Sequence, residues 1–147
     1  MFVKNILKGK ARGAGIVTIS PEASIAEAAK LLATHRIGAV IATEADGSIA
    51  GILSERDIVR GLAAQEDVCN RARVCDLMTS VVLTCHEDDT VDSLMQTMTG
   101  KRIRHLPVVD SDGRLMGIVT IGDVVKSRLD VADMEVDNLR HYGSAAR

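Results

Sequence analysis

Aromatic side chains are nearly missing from this chain: Phe2 and Tyr142 are the whole complement among 147 residues, and both lie near the ends. The core must therefore be built from Val, Ile, Leu, Ala and Met. Base stacking on aromatic platforms, worth roughly 1 to 3 kcal/mol per base, is not available, which argues against the common single-strand RNA and DNA readers. A bound base would have to sit between aliphatic side chains. Cysteine is equally sparse: Cys69, Cys75 and Cys85 are odd in number and lack CxxC spacing, so neither a disulfide framework nor a four-ligand zinc site is suggested. No apolar run approaches the ~20 residues of a membrane span, and Met1 to Lys10 lacks a signal-peptide core. A cytoplasmic protein without a membrane partner is expected. Excess charge is missing too, since 18 Lys and Arg face 20 Asp and Glu, a net −2 that offers no electrostatic footprint for nucleic acid.

What is present is a duplication. Ile16 to Arg60 overlays Val82 to Lys126 at constant offset and without a gap. The identities fall where backbone geometry or polar chemistry is demanding: Arg36 with Arg102, Ile37 with Ile103, Asp46-Gly47 with Asp112-Gly113, Gly51-Ile52 with Gly117-Ile118, and Asp57 with Asp123. A shorter match precedes each copy, Val3 to Leu7 with Val74 to Met78, where the first copy carries five extra residues in the loop Lys8 to Gly15. Each copy reads as strand, helix, strand, strand, helix. The first strand spans Ile16 to Ile19, and Ser24-Ile25-Ala26-Glu27 forms a capping box opening a helix, as Thr90 does in the second copy. Ala39 to Thr43 with Ile49 to Leu53, and Leu106 to Val109 with Leu115 to Val119, read as hairpins around their Asp-Gly turns. A last helix begins near Glu55 and near Gly122. The expected fold is α+β, a tandem pseudo-twofold repeat packed sheet to sheet. It divides into residues 1–65, 66–130 and a helical tail 131–147. Each half of about 60 residues would be marginal alone, so the working unit is the pair.

The segments Gly51-Ile52-Leu53-Ser54-Glu55-Arg56-Asp57 and Gly117-Ile118-Val119-Thr120-Ile121-Gly122-Asp123, with Arg102 to Asp110 between the strands of copy two, resemble a pair of CBS (cystathionine beta-synthase) domains. The resemblance covers nearly all of Phe2 to Lys126. It implies a regulatory, non-catalytic module that binds an adenine nucleotide in the cleft between its repeats: AMP foremost, with ATP, ADP or NAD(H) as alternatives. Asp57 and Asp123 would hold ribose hydroxyls, and Ser54 and Thr120 would contact phosphate. Residues around Val17, Thr18 and Val82 would flank adenine. It also implies a homodimer and a regulated protein not named by the sequence.

The residues support that chemistry independently. A carboxylate three residues after a hydroxyl, where a strand enters a helix, can accept from a ribose diol while the hydroxyl and free N–H groups face an anion. The same spacing is an ordinary N-terminal cap, so an interaction module whose motifs only cap helices is the alternative. Arg104 and His105 stand where copy one has Gly38 and Ala39, which predicts the tighter phosphate site around Asp123 unless Arg104 reaches across the cleft to Asp57. Arg56 could serve either site, or be an exposed residue of the first helical turn. Gly9 to Gly15 lacks the Gly-Lys-[Ser/Thr] ending of a P-loop and reads as a connector. Glu87, Asp88 and Asp89 favour a helix N-terminus rather than a metal. His35, His86 and His141 have no partner at ligand spacing, and no nucleophile stands beside an evident base. Leu129, Ala132, Val136 and Leu139 fall at helical spacing in the tail, and the expectation is a last helix packed on its own domain rather than a partner-binding one.

Overall fold

The computed structural model describes residues 1–9 and 16–145, with side chains as far as Asp137 and that of Leu139. Most of the Gly9 to Gly15 connector therefore lies outside the described residues. The chain runs α1 (Val3–Gly9), β1 (Thr18–Ile19), α2 (Ile25–His35), β2 (Ala39–Thr43), β3 (Ile49–Ser54) and α3 (Glu55–Ala64). Short helices α4 (Val68–Arg71) and α5 (Val74–Leu77) lead to α6 (Val91–Lys101), β4 (His105–Val109), β5 (Leu115–Thr120) and α7 (Ile121–Ala145).

Local chemistry explains these boundaries. Ser24 Oγ accepts from the Glu27 N–H at 3.1 Å and Thr90 Oγ1 from the Ser93 N–H at 3.1 Å, so each repeat opens its first helix with a hydroxyl cap. Both helices end on an arginine in the left-handed region, Arg36 at φ 54° and Arg102 at φ 55°, which satisfies the last carbonyls and turns the chain into the next strand. The conserved register of the duplication thus reaches down to backbone strain. The hairpin turns repeat it, with Gly47 at φ 87° and Gly113 at φ 80°. In the first turn Asp46 accepts from both the Ser48 hydroxyl and its N–H, which holds its carboxyl below the ordinary range.

The two hairpins pair in the same register: Ile41 opposes Ile52 as Pro107 opposes Ile118. β1 adds in parallel to β2, giving a three-stranded sheet, whereas β4 and β5 form a two-stranded one. The strand expected at Val82 to Cys85 is reduced to one parallel bridge, Cys85 with Val108, closed by Cys85 N–H to Pro107 O and Val109 N–H to Cys85 O. In the first repeat the strand is shorter than the expected Ile16 to Ile19. The inner strands are buried on both faces, as the run Ala39 to Ala42 and the run Leu106 to Val109 show. Val40 and Ala42 enter the first core, while Ile41, on the opposite face, borders a cavity shared with the second repeat.

Each core contains a helix from the other side of the duplication. Val3 and Ile6 of α1 lie in the cluster of the second repeat with Leu94, Met98, Val108 and Val119. Val74 of α5 lies in the cluster of the first repeat with Ile25, Leu32 and Leu53. Backbone bonds fix the exchange: Val3 N–H to Asp89 O at 2.9 Å and Val91 N–H to Met1 O at 3.0 Å mirror Val74 N–H to Ala23 O at 2.8 Å and Ile25 N–H to Ala72 O at 3.2 Å. The helix at the start of the 1–65 segment thus packs on the following segment, an arrangement that a linear division of the chain does not express. Gly51 and Gly117 admit the exchanged segments. A Cβ on Gly51 would stand 2.7 Å from the Thr79 carbonyl and 2.6 Å from Met78 Sδ, and one on Gly117 2.8 Å from Leu7 Cδ2.

The end of the chain corrects the expectation of a last helix packed on its own domain. α7 is continuous through the end of the second repeat, with Val124 and Ser127 buried against the core. Beyond them Leu129 is 60% exposed and Leu139 71%. No described helix is long and apolar enough to cross a membrane.

Candidate functional site

At the junction of β3 and α3, the Ser54 N–H and hydroxyl donate to Asp57 Oδ2 at 2.9 and 3.0 Å, and the Asp57 N–H donates back to Ser54 Oγ at 3.2 Å. The junction of β5 and α7 repeats this, with Thr120 N–H to Asp123 Oδ2 at 2.9 Å and Asp123 N–H to Thr120 Oγ1 at 3.2 Å. Both hydroxyl–carboxylate pairs are therefore reciprocal helix caps. At Asp57 these bonds engage the Oδ2 oxygen, and the residue still borders a cavity.

Two cavities lie between the repeats, and each takes one wall from either copy. The larger, about 470 Å³, is bordered by Ser54, Arg56, Asp57 and Arg60 from the first repeat. Its other wall is Thr79 with Val81 to Leu83, Val82 being half-buried, and the turn Arg102 to His105. The smaller, about 390 Å³, is bordered by Ile16, Val17, Arg36 and Gly38 on one side and by Gly117, Ile118 and Thr120 on the other. Volumes of this size suit a small organic ligand. His105 borders both: its ring stands over Gly38, whose Cβ, if present, would lie 3.5 Å from Nε2.

This geometry re-sorts the residues expected from sequence. Ser54, Arg56, Asp57, Val82, Arg104 and His105 come together in the larger cavity. Val17, Thr120 and His105 meet in the smaller one, which Asp123 does not border, and Thr18 borders neither. Arg104 thus borders the cavity of Asp57, the arrangement across the cleft that the sequence left open beside a tighter site around Asp123. The reason is the pseudo-twofold: the start of each repeat lies opposite the strand–helix junction of the other.

Electrostatics separates the cavities further. Arg56, Arg60, Arg102 and Arg104 border the larger against Glu55 and Asp57, whereas among the described residues Arg36 is the one Arg, Lys, Asp or Glu on the smaller. Among the described residues none of these four guanidiniums belongs to an ion pair. Arg60 and Ile52 were not singled out by sequence, although Arg60 stands one helical turn after Arg56 and the signal was available. No group of His, Cys, Asp and Glu suited to a metal occurs among the described residues.

Comparison with known proteins agrees with the duplication. The family model described as "CBS domain" matches twice, over residues 14–64 and 74–130. A CBS-domain containing protein of Agrobacterium tumefaciens is 48% identical, with a TM-score of 0.81 over 87% of this chain and 99% of that one. A CBS domain pair crystallised with 5'-methylthioadenosine and S-adenosyl-L-methionine is 33% identical, with a TM-score of 0.75 over 90% of this chain and 98% of that one. A CBS domain protein of Pyrobaculum aerophilum complexed with AMP is 28% identical, with a TM-score of 0.74 over 84% and 89%. The chain spans 63 to 71% of the length of three curated relatives it matches. Two matched repeats, one on each core, and a shared fold across both place this chain in the CBS domain family, as a tandem pair.

Proposed function

We propose that the chain is a regulatory, non-catalytic module that binds an adenosine monophosphate at the larger cavity. The observation that carries the reading is the convergence there of Ser54 and Asp57 with Val82 and four arginines. Asp57 accepts from the ribose diol, Ser54 and Arg56 at the start of α3 meet the phosphate, and Arg104 completes its charge from the opposite repeat. Val82 lies against the base, an aliphatic contact in a chain without aromatic platforms. An AMP-bound relative and one bound to S-adenosylmethionine support the adenosine part. The excess of guanidinium over carboxylate favours a phosphate dianion over a sulfonium cation at this cavity. A nucleotide wedged between the repeats signals by binding two arrangements of the pair unequally. The free cysteines suit the cytoplasm as the working compartment.

A second reading has its own support: both hydroxyl–carboxylate pairs are complete caps without any ligand. An interaction module of that kind would hold its partner equally well with and without nucleotide. A thermal-shift and calorimetric panel of AMP, ADP, ATP, NAD, NADH and S-adenosylmethionine decides between the two. Under the first reading AMP at 100 Kd raises stability by about 2.7 kcal/mol. A panel without any shift or heat leaves the caps as the whole explanation.

A further inference from the structure

We infer that Arg102 reads the phosphate of a nucleotide in the larger cavity and that its left-handed backbone serves that task; the inference rests on the reading of that cavity as an AMP site. Among the described residues two non-glycine residues have positive φ, Arg36 at 54° and Arg102 at 55°. Both are arginine, and each borders a cavity between the repeats, Arg36 the smaller and Arg102 the larger. Just past a helix end, glycine is the residue that sterics favour in this conformation, because the left-handed region brings Cβ against the backbone. The capping itself uses no side chain: the Arg102 N–H donates to Met98 O, and so does the Ile103 N–H at 3.1 Å. Arg36 and Ile37 repeat both bonds onto Leu32 O. Either helix would close as well on glycine, so the arginine answers to something outside the helix.

The Arg102 guanidinium is uncommitted. Its residue is exposed, and among the described residues it takes part in no ion pair or side-chain hydrogen bond. The chain that follows fixes where it stands. Ile103 packs on the second core, which leaves the residues on either side of it, Arg102 and Arg104, on the cavity side, and both border the cavity. Across from them lie Ser54 and Asp57, the hydroxyl and carboxylate of the other repeat. A phosphate dianion there meets two guanidiniums, separated by one residue, that can each take a different oxygen. Arg36 has the same backbone on the smaller cavity, where Gly38 takes the place of Arg104. It is therefore an internal control for the cap without the phosphate.

Glycine at each position separates the two roles. Arg102→Gly removes the guanidinium and relieves the backbone, so the full chain should melt at or above the wild-type temperature while calorimetric titration shows a Kd for AMP raised by roughly tenfold or more. Arg36→Gly should melt likewise and keep its tight AMP binding within about threefold of wild type. Arg102→Lys, which keeps both the charge and the strain, should bind AMP more tightly than Arg102→Gly. The inference is overturned by an unchanged Kd in Arg102→Gly, by an equal loss in Arg36→Gly, by Arg102→Lys binding no better than Arg102→Gly, or by Arg102→Gly melting several degrees below wild type. Each of those results leaves the nucleotide reading standing on wild-type binding. A wild type that binds no AMP overturns both.

Discussion

Asp57→Ala and Asp123→Ala form a matched pair, because the two carboxylates make the same cap and differ in what surrounds them. Each accepts from the backbone N–H of its cap hydroxyl residue at 2.9 Å, and each donates its own N–H to that hydroxyl at 3.2 Å. Loss of either cap should cost about 0.5 to 2 kcal/mol of stability. At roughly 2 to 4 °C per kcal/mol for a chain of this size, the two variants should melt a few degrees below wild type and close to each other. Affinity should separate them. Asp57 borders the cavity with four arginines, and losing a hydrogen bond from a charged group costs about 1.5 to 3 kcal/mol, which is roughly ten- to 150-fold in Kd. Asp123 does not border the smaller cavity, so Asp123→Ala should leave tight AMP binding within about threefold of wild type, well under the tenfold step of 1.4 kcal/mol. Calorimetric titration with AMP at one fixed salt concentration measures both. Equal losses, or a larger loss at Asp123, would refute the assignment of the clamp to the Asp57 cavity.

Val82→Asp should abolish AMP binding in a folded protein, since it sets an unpaired carboxylate against an apolar base; unchanged calorimetric affinity would place the base elsewhere. Gly51→Ala should destabilise by about 1 to 3 kcal/mol in denaturant titration, because the new methyl meets the Thr79 carbonyl at 2.7 Å. Gly117→Ala should cost less, as it meets only the tip of Leu7, a flexible side chain. Burial, with a smaller push from Asp89, raises the Cys85 thiol from 9.0 to about 12, so a thiol reagent at neutral pH should label exposed Cys75 and reach Cys85 only on unfolding. The native state holds that proton more tightly than the unfolded chain, so the contribution is full below pH 9 and is lost as pH rises toward 12.

The hairpins, their Asp-Gly turns and the hydroxyl caps were legible in the sequence because each is set by residues within a few positions of one another. Arg36 and Arg102 were visible as a repeated identity, though only backbone dihedrals show why an arginine recurs there. The membership of each site was hidden for a different reason. Offset matching aligns Arg104 with Gly38 along the chain, but the pseudo-twofold brings Arg104 to Asp57 across the cleft, and no local pattern encodes that operation. The exchange of α1 and α5 was hidden likewise, since Val3 and Val74 read as apolar residues with no stated address. The second repeat's first strand failed to form over Val82 to Thr84, leaving one bridge at Cys85, although its apolar pattern resembles that of Ile16 to Ile19.

The exchange of α1 and α5 also says something about ancestry and inheritance of symmetry. A half-length chain made of one such helix and one repeat would leave its own core open, and would close it only by trading helices with a twin. The fused gene makes that trade inside a single polypeptide, at an effective concentration fixed by the linker and not by expression level. Because the two halves of one chain need not be identical, their junctions can specialise: among the described residues, one cavity is bordered by four guanidiniums and the other by one.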